Sequence, residues 1–369
     1  MALWWQEKNR MQEQACKKKK TVIFVVASMT GGGTERVISI LANLWSKKGY
    51  KVSILMTAQN EVDYELEKDI ELVCVGGRSG GSIFKRLERI KKMRAFFKAA
   101  PDAVICSMGV ETNLFTVLAT IGLKNRVLIS ERNDPNQCGY KGLRDFLYGM
   151  ADCLVCQTKD AMHCFPKRVQ KKSVVIPNPM NPQLPRPYIG ERRKVVSAVG
   201  RLTPQKNYDL LLESFQIVHE ACPEHELHIY GKGELEESLK EKTKTLGLSD
   251  KVKFMGFVNN AIAEIMKDAV YVLSSDYEGV SNSLAEAMAV GMPVVATDCP
   301  IGGSAMCIEN SVNGLLVPIQ DKEALAEGIV SLLKDEKKAA SIGQAATALR
   351  ERFSQEEVSV LWLRAMDLS

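Results

Sequence analysis

Short apolar runs alternate with stretches of helical periodicity along almost the whole chain, and a proline-rich segment interrupts the series once. In the first half the runs fall at residues 21–27, 51–56, 71–75, 103–107, 126–129, 153–156 and 173–176. Helical patterns cover 35–47, 83–99, 113–121 and 143–150 between them. A strand buried on both faces reads as such a run, and successive parallel strands need a crossover long enough to hold a helix. The alternation therefore predicts a parallel sheet with helices on both faces.

Between Pro177 and Arg193 the prolines crowd (177, 179, 182, 185, 187) and periodicity fades, which marks a linker over 178–193. A second series follows, with strands at 194–199, 226–230, 252–255, 269–273, 293–296 and 314–317. Its helices are expected at 209–220, 235–244, 283–290, 322–333 and 337–351. A chain of 369 residues exceeds one compact core, so two domains are the natural division. The expected fold is α/β, two Rossmann-like domains facing a cleft. The bounds are a tail over 1–20, an N-terminal domain over 21–177, the linker, a C-terminal domain over 194–352, and a final helix over 353–369 returning to the first domain. Ligands of such domains sit outside the carboxyl ends of the strands.

Residues 1–180 hold 29 Lys/Arg against 17 Asp/Glu, and the remainder 20 against 27. A basic half joined to an acidic half implies that one domain meets an anionic surface. No aromatic-interleaved basic motif supports nucleic acid as that partner. No apolar run reaches the ~20 residues that cross a bilayer, and Met1-Ala2-Leu3-Trp4-Trp5 leads straight into polar residues without a signal-peptide core. A cytoplasmic location, peripheral on the inner face of the membrane, is expected. Ten cysteines without paired spacing suit a reducing compartment. Cys153 and Cys156 lie three apart in one strand, hence on opposite faces, and form no half-site for a metal.

Four loops carry candidate chemistry. Gly31-Gly32-Gly33, between a strand and a helix, reads as a tight turn, a dinucleotide loop, or a backbone approach to phosphate or substrate through Gly32 and Gly33. Gly200 opens a loop that brings Arg201 and Lys206 to a strand's carboxyl end, where two cations can clamp a diphosphate. Gly231 and Gly233 follow another strand and form either a plain turn or a rest for a nucleoside edge. The segment from Ser274 into a helix at about Ser283 is the richest. The amides of Gly279, Val280, Ser281, Asn282 and Ser283 can hold phosphate oxygens, and Glu278 can reach sugar hydroxyls. Glu286 can take ribose hydroxyls or close a capping box with Ser283.

Glu278 and Glu286, with seven residues between them, resemble the E-x7-E motif of retaining glycosyltransferases of family 4. Gly291-Met292-Pro293, Asp298 to Gly303 and Asn313 to Pro318 strengthen the likeness, which spans about residues 21–355. The Ile129-Ser130-Glu131-Arg132-Asn133-Asp134-Pro135 segment is similar to that of enzymes assembling bacterial capsule, exopolysaccharide or lipid-linked oligosaccharide. The resemblance implies a GT-B architecture and a retaining hexosyltransferase using a nucleotide sugar, UDP-linked. Its acceptor is then a polyprenyl-diphosphate-linked saccharide. The family's route is front-face attack, with the departing diphosphate taking the acceptor proton. Many members carry a His where this chain has Ser130-Glu131-Arg132-Asn133, so its task falls to Glu131, Arg132 or Asn133 on the acceptor side, or is absent. The family's Pro-Asn-Gly crossing is Pro177-Asn178-Pro179 here. No DxD sequence occurs, so neither metal nor other cofactor is expected.

The helix over 83–99 carries Lys85, Arg86, Arg89, Lys91, Lys92, Arg94 and Lys98 against one Glu88. It reads either as a packed helix with a solvated basic face or as a dock on anionic lipid, with help from Trp4, Trp5 and Lys17 to Lys20. Two other activities fit the same chain: a nucleotide-sugar epimerase, and a non-catalytic scaffold binding polysaccharide or lipid.

Overall fold

The computed structural model describes residues 20–76 and 83–368, so the tail with Trp4, Trp5 and Lys17 to Lys19 lies outside the described residues. The first sheet is parallel and holds β1 (Thr21–Val26), β2 (Lys51–Met56), β3 (Glu71–Cys74), β4 (Val104–Met108), β5 (Arg126–Ser130), β6 (Cys153–Cys156) and β7 (Ser173–Val175). Their order is β3-β2-β1-β4-β5-β6-β7. Helices α1 (Gly33–Lys47), α2 (Ile83–Ala99), α3 (Val110–Thr120), α4 (Lys141–Tyr148), α5 (Lys159–His163) and α6 (Lys167–Gln170) connect them. Period-two alternation loads both faces. Val22, Phe24 and Val26 of β1 enter one core while Ile23 and Val25 enter the other. Cys153 and Cys156 likewise separate into those two cores.

The second sheet is also parallel: β8 (Arg193–Val199), β9 (Glu226–Tyr230), β10 (Val252–Gly256), β11 (Asp268–Leu273), β12 (Val294–Thr297) and β13 (Leu315–Val317), in the order β10-β9-β8-β11-β12-β13. Around it lie α7 (Tyr208–Ala221), α8 (Glu236–Thr245), α9 (Ala261–Ile265), α10 (Asn282–Ala289), α11 (Lys322–Lys334), α12 (Glu336–Ala346), α13 (Leu349–Arg352) and α14 (Gln355–Ala365). Strand order reverses between β1 and β4 in one sheet and between β8 and β11 in the other. These are the crevices where a doubly wound sheet receives ligands.

The helix expected over 337–351 is two helices, α12 and α13. Thr347 and Ala348 bond back three residues to Gln344 and Ala345, which tightens the turn and ends α12. The short α5, α6 and α9 were not foreseen, because five residues or fewer carry too little periodicity to register.

After α13 the chain crosses back to the first sheet. Ser354 caps α14 through Glu357 N, and α14 lays Val358, Trp362 and Leu363 into the core that contains Phe24 and Trp45. Trp45 stacks on Phe24 with centroids 5.3 Å apart and donates its indole N–H to Ser359 Oγ at 2.8 Å. Arg126 closes the far end by donating to Ala365 O at 2.9 Å. Removing the fully buried Trp362 side chain (Trp362→Ala) should cost about 3–5 kcal/mol through lost burial and a cavity. Urea unfolding checks this; a midpoint within error of the parent's means that α14 is not anchored by this residue.

Candidate active site

In the C-terminal domain three glycine loops meet at the β8/β11 crevice. Gly231 has φ +141°, and a Cβ there would stand 1.9 Å from Gly200 O, while one on Gly233 would stand 2.2 Å from Leu202 O. Only glycine lets these backbones touch. The loop after β8 is then fastened to the loop after β11. Asp276 N donates to Gln205 O at 3.0 Å, Gln205 Nε2 to Tyr277 O at 2.9 Å, and Ser274 Oγ to Lys206 O at 2.9 Å. This brings the Lys206 ammonium onto Glu278 Oε1, which also accepts from Ser275 Oγ at 3.0 Å. Both members of the pair are mostly buried, whereas Arg201 is exposed at the crevice rim.

Opposite lies the glycine loop that begins α1. The Gly31 amide donates to Asp63 Oδ2 at 2.8 Å and the Gly32 amide to the Tyr64 hydroxyl at 3.1 Å. Gly33 stands against Asn282, whose Nδ2 donates to Gly33 O at 3.4 Å. Burial holds Glu35 above the usual carboxylate range, and Arg201, across the cleft, pulls part of that back. One turn on, Arg36 Nη1 meets Glu286 Oε1 at 2.8 Å, joining α1 to α10. Burial raises the Glu286 carboxyl, and Arg36 opposes that shift.

The two domains are knitted together at Asn178. Its Oδ1 accepts from Arg132 Nη2 and from Gln157 Nε2 at 2.6 Å. Its Nδ2 donates to Val280 O at 3.0 Å and to Asn282 Oδ1 at 2.6 Å. Gln157 Oε1 in turn accepts from the Val280 amide at 3.1 Å. A Cβ on Gly279 would lie 1.9 Å from Gln157 Oε1 and 2.7 Å from Arg132 O, so the surfaces close only over a glycine.

A cavity of about 780 Å³ opens at the β1/β4 crevice of the N-terminal domain. Val26, Ala27, Met108 and Gly109 form part of its floor, Glu35 stands at one side, and Lys85, Arg86, Arg89 and Lys92 of α2 line another. The Arg89 guanidinium lies 5.3 Å from the Phe115 ring centroid, and its Nε is buried with no partner among the described residues. Groups of three or more His, Cys, Asp or Glu able to hold a metal ion do not occur among the described residues.

Residues 183–349 match the family described as glycosyl transferases group 1. The C-terminal domain belongs to that family. Over most of its length the chain is 26% identical to an uncharacterized glycosyltransferase of Haemophilus influenzae, covering 90% of this chain and 96% of that one. It is 28% identical to an N-acetyl-D-galactosaminyltransferase of Campylobacter jejuni named for a diNAcBac-PP-undecaprenol-linked saccharide, covering 91% and 95%. Anabaena HepE, solved in complex with UDP and glucose, superposes with a TM-score of 0.81 at 19% identity, covering 94% of this chain and 99% of that one. That likeness establishes the GT-B fold.

Within this group 1 glycosyltransferase framework several residues stand differently from their sequence-based reading. The Ser283/Glu286 capping box does not form. Ser281 is the N-cap of α10, Ser283 Oγ donates to Val199 O at 3.1 Å, and the Glu286 carboxylate goes to Arg36. The Val280 amide is turned to Gln157 and the Gly32 amide to Tyr64, so neither points at the crevice. Glu131 faces inward, not toward an acceptor. It is buried and accepts from the Tyr148 hydroxyl, which itself accepts from Asn113 Nδ2 at 2.9 Å. Arg132 is spent on Asn178, and the Asn133 side chain accepts from its neighbour's amide, Asp134 N, at 2.9 Å. Sequence reasoning missed Arg36, Gln157 and Asn178. Only the departure from Pro-Asn-Gly, already noted at Asn178, drew attention to any of them.

Burial pushes the Glu131 carboxyl up to about 7 from an ordinary 4.5, although the Tyr148 hydroxyl opposes the shift. A raised folded-state value means that the native protein holds this proton more tightly than the unfolded chain does. The stabilisation is complete below the unfolded value and is lost as pH rises through about 7. Glu131→Gln, which does not titrate, should therefore gain stability relative to the parent between these values, by on the order of 3 kcal/mol, and then level off. Unfolding midpoints across the range test it, and parallel curves for the two proteins contradict it.

Proposed function

We propose that this glycosyltransferase acts with retention and moves a hexose or N-acetylhexosamine from a UDP-sugar to a polyprenyl-diphosphate-linked saccharide. The setting is assembly of a cell-surface polysaccharide or glycan. The observation that carries the reading is the Lys206–Glu278 pair with Arg201 beside it at the β8/β11 crevice, facing a cavity lined by four cations across the cleft. The Campylobacter relative, named for a PP-undecaprenol-linked saccharide, supports the acceptor class. The UDP in Anabaena HepE supports the nucleotide.

In this reading Arg201 and Lys206 stabilise the charge that develops on the departing diphosphate. Glu278, fixed by Ser275 and Lys206, orients the donor sugar, and Glu286 exchanges Arg36 for ribose hydroxyls. Gly200, Gly231, Gly233 and Gly279 shape the donor site by letting its loops pack closely, and Ser281 to Ser283 offer the start of α10 to phosphate. The bond from the anomeric carbon to the diphosphate oxygen breaks as the acceptor oxygen attacks the same face. The acceptor proton passes to that diphosphate oxygen. The two cations carry this charge without a metal ion. The acceptor diphosphate meets Lys85, Arg86, Arg89 and Lys92, and α2 holds the protein peripherally at the inner membrane face. No helix among the described residues is long and apolar enough to cross a bilayer.

Glu278→Ala, Arg201→Ala and Lys206→Ala should each lower kcat/KM with UDP-sugar and lipid-linked acceptor by at least about 100-fold. Turnover of the parent in EDTA should be unchanged. Near-parental activity in all three variants refutes the assignment, and loss of activity in EDTA restored by a divalent ion refutes the metal-free route.

A further inference from the structure

Helix α4 buries Leu147 and Tyr148 but turns two other large apolar residues outward. Its Arg144 side chain is 0% exposed, donating to Pro135 O and Asp145 Oδ1 and lying 4.6 Å from the Phe165 ring centroid. Leu143 and Phe146, which hydrophobic burial would place in the core, are 56% and 57% exposed, and Tyr140 before them is also exposed. Keeping a guanidinium inside and a leucine and a phenylalanine outside carries an energetic cost unless the outer face is covered in use.

The start of α2 also exposes apolar residues, Phe84 at 79% and Leu87 at 59%. The two helices flank α3, which packs against both. The N-terminal ends of α2 and α3 both reach toward that of α4, where Glu111 and Arg86 act on the Tyr140 hydroxyl in opposite senses. Lys85 and Arg86 are exposed between Phe84 and Leu87 in α2, Lys141 is exposed at the start of α4, and Arg168 lies 5.9 Å from the Phe146 ring centroid. The only acids on α2 and α4 are neutralised: Glu88 by Lys92 and Asp145 by Arg144. Exposed aromatic and aliphatic side chains flanked by cations that outnumber the carboxylates near them, Glu111 of α3 among these, match the interfacial zone of an anionic bilayer.

We propose that α4 and the first turns of α2 form a membrane-docking face, with Phe84, Leu87, Leu143 and Phe146 entering the boundary between headgroups and acyl chains. Lys85, Arg86, Lys141 and Arg168 meet the anionic headgroups. This moves the apolar part of the contact onto α4, beyond the basic helix alone. Lys85 and Arg86 also line the N-terminal cavity, so the docked face delivers a bilayer-borne substrate beside the cavity mouth. The lipid-linked acceptor reading supplies the purpose of this face, but docking itself is independent of donor and acceptor.

The test uses full-length protein and vesicles of phosphatidylcholine alone or mixed with phosphatidylglycerol, in low and high salt. The parent should co-sediment with the anionic vesicles and weaken as salt rises. Leu143→Asp/Phe146→Asp should weaken that binding at least about tenfold while keeping the parent's thermal midpoint and its stabilisation by UDP. Phe146→Ser serves if the double variant folds poorly. Unchanged vesicle binding in a folded variant overturns the proposal. So does a parent that ignores vesicles and forms a dimer that the variant converts to monomer, since the face is then an interface between copies. A parent that binds vesicles but is not stabilised by UDP leaves the docking face standing and defeats the donor reading.

Discussion

One side-chain amide sets where the two halves of the catalytic cleft stand. Asn178 sits between Pro177 and Pro179, which restrict its backbone, and it uses its oxygen twice and its nitrogen twice. Arg132 and Gln157 come from the first domain; Val280 and Asn282 come from the second. An amide offers two donors and two lone pairs, so this one is saturated. Because the site is buried, losing any partner would strand a polar group away from water at a cost of about 1–3 kcal/mol. The Gln157 link to the Val280 amide and the missing Cβ at Gly279 let the surfaces approach closely enough for the amide to reach both sides.

That junction explains how charge is handled around it. Two buried carboxylates at the cleft each have a cation from a different element, Lys206 on Glu278 and Arg36 on Glu286. Removing one member of such a pair leaves an uncompensated buried charge. A ligand that displaces Arg36 or Lys206 must therefore bring its own hydrogen bonds. Sugar and ribose hydroxyls can replace the donors on the carboxylates, and phosphate oxygens can receive the freed cations. These pairs thus hold both halves of the recognition chemistry in place.

The fold was legible because burial on both faces writes itself into the sequence. Val22 to Val26 and Val270 to Leu273 are apolar at every position, and each strand feeds two cores. Glu278 was legible for a different reason, since no capping or turn rule asks for a glutamate there. Glu286 was ambiguous because a local rule did ask for it, and the rule lost to a partner 250 residues away. Glu131 misled because its place in a polar loop gives no hint that the side chain turns back onto Tyr148 of α4. Asn178 and Gln157 carry no periodic signal, and their roles exist only once the domains meet.

The basic helix shows why charge counting alone could not assign its function. Seven cations on α2 read as one solvated face, yet the fold divides them. Arg94 donates to the carbonyls of Ala119 and Ile121 at the end of α3. Lys85, Arg86, Arg89 and Lys92 turn toward the cavity. Lys85 and Arg86 stay exposed as well, but charge alone leaves the exposed apolar residues of α2 and α4 unexplained. Electrostatic attraction falls off within a Debye length of about 8 Å and brings the domain to an anionic surface, whereas apolar contact acts only once the surface is touched. The first can select which face approaches and the second can hold it there. In the proposed docking both act on one side of the domain, next to the cavity mouth, and a lipid-borne substrate then has a short path from bilayer to cleft.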